Sequence, residues 1–227
     1  MEIQPIAYIH TDFKEKFGIP RQSGLVEALR ASVVFTPPYR VADAVRGLED
    51  FSHLWLIWEF SRARRDNWSP TVRPPRLGGN RRMGVFATRS PFRPNRLGLS
   101  AVRLERVAAD GPEGPVLYVS GADLLDGTPI YDIKPYVPYA DAFPEARGGF
   151  ADQVERKRLT VDCPEKLLLQ MPEEKRTALL GVLAQDPRPS YQDDPERVYG
   201  MSFAGAEIKF TVEDGLLLVR EIIPQDE

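Results

Sequence analysis

Leu124-Leu125-Asp126-Gly127-Thr128-Pro129-Ile130-Tyr131-Asp132-Ile133-Lys134-Pro135-Tyr136 is the stretch around which the chain reads as organised. Asp126-Gly127 is a turn signal, because glycine permits positive φ and aspartate bonds its own backbone two residues on. Pro129 and Pro135 each fix φ and remove a donor, so the segment is poor helix and poor central strand. It reads as a shaped loop holding Asp126, Thr128, Asp132 and Lys134 in fixed directions. The same residues also suit a rigid connection with Asp132 and Lys134 merely solvated.

Working outward, short extended runs precede that loop. Residues 2–9 alternate and start a strand, and Ser32-Val33-Val34-Phe35 is β-branched and extended until Pro37-Pro38 stops it. Val41, Ala44, Val45 and Leu48 fall at helical spacing and predict a short helix closed near Gly47. Phe51 to Phe60 reads as a buried strand, and Val85 to Thr88 as a short one. Leu99–Val107 and Val116–Ala122 form a hairpin across Asp110-Gly111-Pro112, which feeds the opening stretch. Short strands at regular spacing with few helices predict a mainly β fold, a small barrel or sandwich.

The remainder differs in character. Residues 144–152 read as a linker. Pro164 to Gln185 reads as a helix that Pro172 splits, and residues 206–223 as a hairpin around Glu213-Asp214-Gly215. This predicts two domains, 1–146 a β-barrel and 147–227 a smaller α+β unit able to move relative to it.

Several classes are excluded. The 227 residues, 42% hydrophobic, suffice for a proper core. No apolar run reaches membrane-spanning length, and Met1–His10 has no secretory pattern. A single cysteine, Cys163, with Pro164 beside it and no histidine near, fits a reducing cytoplasm and no thiol nucleophile. Two histidines, His10 and His53, leave no Cys/His metal site. His53, at the start of its strand, reads by itself as a hydrogen-bonded core residue. No Gly-x-Gly, Walker loop or Gly-x-Ser-x-Gly elbow occurs, so no Rossmann-type dinucleotide or methyl-donor loop is present.

Charge is unevenly placed. Residues 62–96 hold ten arginines and one acid, Asp66, a net +9 that leaves −12 for the rest of a chain at −3. Trp68, Phe86 and Phe92 are interleaved with them. Guanidinium forks suit phosphates and stack on bases, so this stripe predicts a polyanionic partner. The other reading is a solvated loop whose arginines pair with the acidic remainder.

Gly84-Val85-Phe86-Ala87-Thr88-Arg89-Ser90-Pro91-Phe92-Arg93-Pro94-Asn95-Arg96-Leu97-Gly98-Leu99-Ser100 and Leu125 to Tyr136 resemble the two signature stretches of the TrmO (YaeB, TsaA-like) family. Pro20-Arg21-Gln22 and Phe51-Ser52-His53-Leu54-Trp55-Leu56 join the resemblance, which covers about residues 1–145. It implies a β-barrel that takes S-adenosylmethionine, a homodimer, and methylation of the exocyclic nitrogen of threonylcarbamoyladenosine next to the tRNA anticodon. It assigns the donor to Pro20, Arg21, Gln22, His53, Leu54, Arg89, Leu99 and the turn Asp126, Gly127, Thr128, Pro129. The acylated nitrogen is weakly nucleophilic, and Asp126, Asp132 or His53 are the candidates to take its proton. Arg93, Arg96 or Lys134 could meet the threonyl carboxylate, and Arg81 and Arg82 track phosphates. Two other readings stay open at this point: an RNA-binding barrel without catalysis, and a small-molecule methyltransferase or hydrolase.

Overall fold

A computed structural model describes residues 2–63, 68–74, 81–153, 158–189 and 194–225. Six strands close a barrel in the order β1-β2-β7-β6-β3-β8: β1 Ala7–His10, β2 Arg30–Phe35, β3 His53–Glu59, β6 Leu97–Ala108, β7 Val116–Ser120 and β8 Thr128–Pro135. Every neighbouring pair is antiparallel. The alternation that marks the strands also fills the barrel. Leu54, Leu56 and Trp58 on β3, Val102 and Leu104 on β6, and Val33 and Phe35 on β2 point inward and are buried. Closure leaves no sheet edge exposed in the barrel.

The opening stretch departs from its expectation as a loop. Leu124–Gly127 is irregular, Thr128–Pro135 is a barrel strand between β1 and β3, and Tyr136 follows its end. Its prolines are tolerated by position. The ladder to β1 spans Thr128–Ile130 and the ladder to β3 spans Ile130–Pro135, so each proline lies where only one ladder runs. Residues 41–48 form no α-helix. They make 3-10 turns at Ala42–Val45 and Leu48–Asp50, separated by Gly47 at φ 83. Val85–Ala87 is likewise a 3-10 turn, because Thr88 folds back and its hydroxyl and amide both bond the Val85 carbonyl at 2.8 and 3.1 Å. Just before it, β4 Thr71–Val72 pairs with β5 Met83–Gly84 as a small ribbon.

The C-terminal part is an α+β unit. Its sheet runs β10 Tyr199–Phe203, β11 Ala206–Glu213, β12 Leu216–Pro224 and β9 Thr160–Asp162, the last pair parallel. Helix α1, Pro138–Asp141, closes the barrel part. Pro172 does split the later helical stretch, into α2 Glu165–Leu168 and α3 Glu173–Ala184. The hairpin expected over residues 206–223 is β11–β12.

The two parts, read above as able to move relative to each other, share a core. Phe13, Val26 and Leu29, which come before β2, are buried with Leu179, Met201, Phe203 and Phe210. Phe13 and Phe203 rings lie 5.3 Å apart, and Lys175 Nζ bonds both Asp12 carboxylate oxygens at 2.7 Å. Among the described residues no helix is long and apolar enough to cross a membrane.

Candidate active site

A cavity of about 450 Å³ opens where the shared core meets the barrel. One wall is the Gly18–Gln22 loop. Gly18, at φ 94, turns the chain directly over Met201, and Phe17 and Ile19 pack on the C-terminal core. The adjoining wall comes from Thr88, Arg89, Pro91 and Arg93, and from the start of β6 at Leu97–Leu99. The end of β3, from Trp58 onward, and residues 123–125 form the floor.

The basic wall is braced. An Arg89 guanidinium N–H donates to Gln22 Oε1, and the Gln22 amide donates to the Arg21 carbonyl. Arg93 donates to the Thr88 carbonyl at 3.0 Å. Arg21 reaches the Arg188 carbonyl at 3.5 Å, so the loop also touches the C-terminal unit. Lys16 donates to the Arg62 carbonyl at 2.9 Å across the mouth.

The floor carries two carboxylates. Trp58 Nε1 donates to Ser100 Oγ at 3.0 Å, and Ser100 Oγ donates to Asp123 Oδ1 at 2.6 Å. The β3–β6 register makes this chain by placing Leu56 opposite Ser100 and Trp58 opposite Gly98. Burial pushes the Asp123 carboxyl above its usual range, against the opposing hydrogen bond from Ser100, backbone bonds and the charge of Arg89. Glu59 is already engaged. It accepts from Tyr131 Oη at 2.8 Å and from Arg96 at 3.4 Å.

Pro20, Arg21, Gln22, Arg89, Leu99 and Thr128 therefore come together around one cavity, although 66 residues or more separate the first three from the others. Asp126, Gly127 and Pro129 lie beside it, outside its lining. Asp126 is an anchor: Thr11 N and Lys14 Nζ donate to its two oxygens at 3.1 and 2.8 Å, and His10 Nδ1 lies 3.4 Å away. Its partial burial raises the carboxyl, but the Lys14 and Thr11 hydrogen bonds and the Lys14 and His10 charges outweigh this and hold it below its usual range.

His53 and Leu54 stand at the other end of β3 from Trp58, roughly 16 Å away at strand rise. His53 Nδ1 lies 2.9 Å from Ser52 Oγ, and Leu54 is buried. Asp132 and Lys134 pair with each other at 2.9 Å on β8, outside the cavity lining. Arg96 holds Glu59, while Arg81 and Arg82 are exposed at the start of β5. Arg64, Arg65 and Arg76 lie outside the described residues. Sequence reading missed Asp123, Glu59, Trp58 and Lys16. None has a local signal, since each acquires its role from a partner far along the chain.

Beyond the site, burial and the neighbouring Asp162 push the Cys163 thiol up, as suits an inert cysteine. Among the described residues no group of histidine, cysteine and carboxylate side chains could hold a metal ion.

Known proteins resemble this chain over nearly all of its length. Residues 8–142 match the tRNA-methyltransferase O N-terminal domain, and residues 156–225 match the TrmO C-terminal domain. The chain is 44% identical over 223 residues to a tRNA (adenine(37)-N6)-methyltransferase of Escherichia coli, covering 94% of each. It is 48% identical over 207 residues to a putative S-adenosylmethionine-dependent methyltransferase, RcsF, of Pseudomonas aeruginosa, covering 88% of this chain and 87% of that one. A crystal structure of TrmO from Pseudomonas aeruginosa superposes with a TM-score of 0.79 at 38% identity, over 99% of this chain and 97% of the other.

Proposed function

The chain belongs to the tRNA-methyltransferase O family, and on that premise we propose that it methylates the exocyclic nitrogen of threonylcarbamoyladenosine beside the tRNA anticodon, with S-adenosylmethionine as donor. The observation that carries this reading at the level of the site is the cavity's polarity: guanidinium groups braced along its walls and two carboxylates on its floor.

The cavity fits such a donor. Its volume is within the range of small-molecule sites. A fork from Arg89, with Arg21 beside it, matches the donor's carboxylate. Asp123, costly to ionise without a cation, is compensated by a positively charged ligand. Trp58 and Leu99 offer apolar surface to a purine. When bound, the donor supplies an electrophilic methyl group on a cationic sulfur.

The protein's contribution is then placement and proton handling. Holding the acceptor nitrogen in line removes up to roughly 7–11 kcal/mol of barrier in ideal cases. An acylated nitrogen must lose its proton. Of the two floor carboxylates, Glu59 is engaged by Tyr131 and Arg96, and Asp123 is the one that burial raises above its usual range, so Asp123 takes the proton in our reading. Asp126 is held ionised by its partners and serves as the anchor of the turn. The arginines of residues 62–82 hold RNA phosphates, so affinity for tRNA falls steeply as salt rises.

We further propose that residues 1–146 form the donor-binding unit and 147–227 a unit that braces its loop, and that the enzyme works in the cytoplasm as a homodimer. A dimer reconciles the assignment of His53 to the donor with its distance from the cavity, since a second copy could present it; the Leu54 side chain, buried in the barrel core, has no such route. The testing experiment is transfer of labelled methyl from S-adenosylmethionine to tRNA with and without the threonylcarbamoyl group. Label confined to the modified tRNA is expected. Label on both removes the substrate assignment, and no label with no donor binding removes the enzyme.

A further inference from the structure

The β4–β5 ribbon carries two large aromatic side chains in solvent. Trp68 is 53% exposed and Phe86 73% exposed, yet their ring centroids lie 6.3 Å apart at 30°. The surroundings fix both. Ser69 Oγ donates to the Thr71 carbonyl at 2.8 Å, Val85 N donates to the Pro70 carbonyl at 2.9 Å, and Thr71 pairs with Gly84. Trp68 and Phe86 are thus held on adjoining strand ends while Val85, between Gly84 and Phe86, is buried. Arg73, Arg81 and Arg82 on the same ribbon are exposed. Phe86 also belongs to the turn that continues into Thr88 and Arg89 of the cavity wall.

Although the rings meet, more than half of Trp68 and most of Phe86 stay in solvent, so a shielded aromatic pair is not what this ribbon builds. Flat apolar faces at one end of a ribbon whose other end carries exposed arginines match one ligand chemistry: unpaired nucleobases on a phosphate backbone. We propose that Trp68 and Phe86 form a stacking platform for the unpaired bases next to the methylated adenosine, with Arg73, Arg81 and Arg82 on the adjoining phosphates. This rests on the tRNA reading above. It adds where the loop bases sit once the target base has left the stack, as base-modifying enzymes require.

The test uses the full-length protein and an anticodon stem-loop RNA carrying the threonylcarbamoyl group. Trp68→Ala and Phe86→Ala should each weaken RNA binding roughly 5- to 150-fold, the value of one stacked base. Trp68→Phe should recover most of it, and the affinity for S-adenosylmethionine should stay within about twofold. Stacking is uncharged, so the Ala-to-wild-type ratio should hold as salt rises, unlike that of Arg81→Ala. Unchanged RNA affinity in the Trp68→Ala/Phe86→Ala double variant, with wild-type tRNA methylation intact, would overturn the platform alone. A change in oligomeric mass in that variant would overturn it too, marking the rings as a contact between copies. A wild-type protein that neither binds nor methylates tRNA would bring down the functional reading itself.

Discussion

Met201 lies under Gly18, so that a Cβ on Gly18 would fall 2.2 Å from the Met201 sulfur and 2.7 Å from its Cγ. A strand of the C-terminal sheet thereby supports the loop that supplies Pro20, Arg21 and Gln22 to the cavity. Methionine is adaptable, but Met201 is buried in the shared core and has little room to retreat. Gly18→Ala should cost about 1–3 kcal/mol from overpacking, plus about 1–2 kcal/mol for a side chain at φ 94. Met201→Ala alone should cost about 2–5 kcal/mol. In the double variant the overpacking part of the Gly18→Ala cost should vanish and the backbone part remain, a coupling readable by denaturant titration. Donor affinity should fall roughly tenfold, about 1.4 kcal/mol, in Gly18→Ala and partly return in the double variant. Additive stabilities would show that the two residues do not support each other.

A second glycine works against a rigid neighbour. A Cβ on Gly98 would lie 2.4 Å from Trp58 Cε2, and an indole cannot bend away as a methionine can. Gly98→Ala should move the ring off Ser100 and so loosen the bond from Ser100 to Asp123. We expect a loss of about 1–3 kcal/mol in stability together with weaker donor binding. Gly127→Ala is the contrast. It has φ 71, but a Cβ there would meet no atom within 4 Å, so only the backbone cost of about 1–2 kcal/mol should appear. Equal effects of the two substitutions on donor binding would remove the role given to Trp58.

Asp123 and Asp126 should show opposite pH dependence. Asp123 is raised above its unfolded value, chiefly by burial, so its ionisation opposes folding as pH rises from the ordinary carboxylate value through the raised one. Asp123→Asn should therefore melt higher than wild type at neutral pH, with the gain disappearing in acid, where both states are protonated. Its methyl-transfer rate should fall by about 10²–10⁴ if it takes the proton. A rate within a few-fold of wild type, with donor bound normally, would exclude that role.

Asp126 is held below its unfolded value, because the Lys14 and Thr11 bonds outweigh its burial. Its stabilisation is fully present above the ordinary carboxylate value and is lost as pH falls through the lowered one. Asp126→Asn should cost about 1–3 kcal/mol at neutral pH and little in acid. Thermal melts across the acid range check the sign.

Much of this fold can be read locally, and the exceptions have physical causes. The barrel strands announce themselves because one face is buried and the other wet, as in the Leu54, Leu56, Trp58 alternation. Strand β8 reads as loop, since its prolines weigh against a central strand until one knows that each meets a single ladder. Strand β9, three residues and parallel, holds too little pattern to find; β10 does alternate Tyr199, Met201, Phe203 inward, but over only five residues after a long loop. The cavity's arginine wall is legible as the braced stretch from Arg89 to Arg93. Its floor is not. Asp123 matters because Ser100 and Trp58 reach it across strands, and Asp126 looks like a ligand group because its partners Thr11 and Lys14 lie more than 110 residues away.

His53 poses the remaining question, because β3 carries it away from the cavity that Trp58 floors. If a homodimer shares its sites, each cavity is completed by His53 of the other copy, and two different defects can compensate. His53→Ala and Arg89→Ala should each be nearly inactive as pure proteins. Mixed after partial unfolding and refolding, half of the dimers would be hybrid. In each hybrid one site would keep both Arg89 and His53, while the other would lose both. Activity should then return to about a quarter of wild type, as two-fold symmetry dictates. A mixture as inactive as its components would place His53 and Arg89 in one copy's site or assign His53 a structural role, and a monomeric enzyme with full activity would dispense with the shared site altogether.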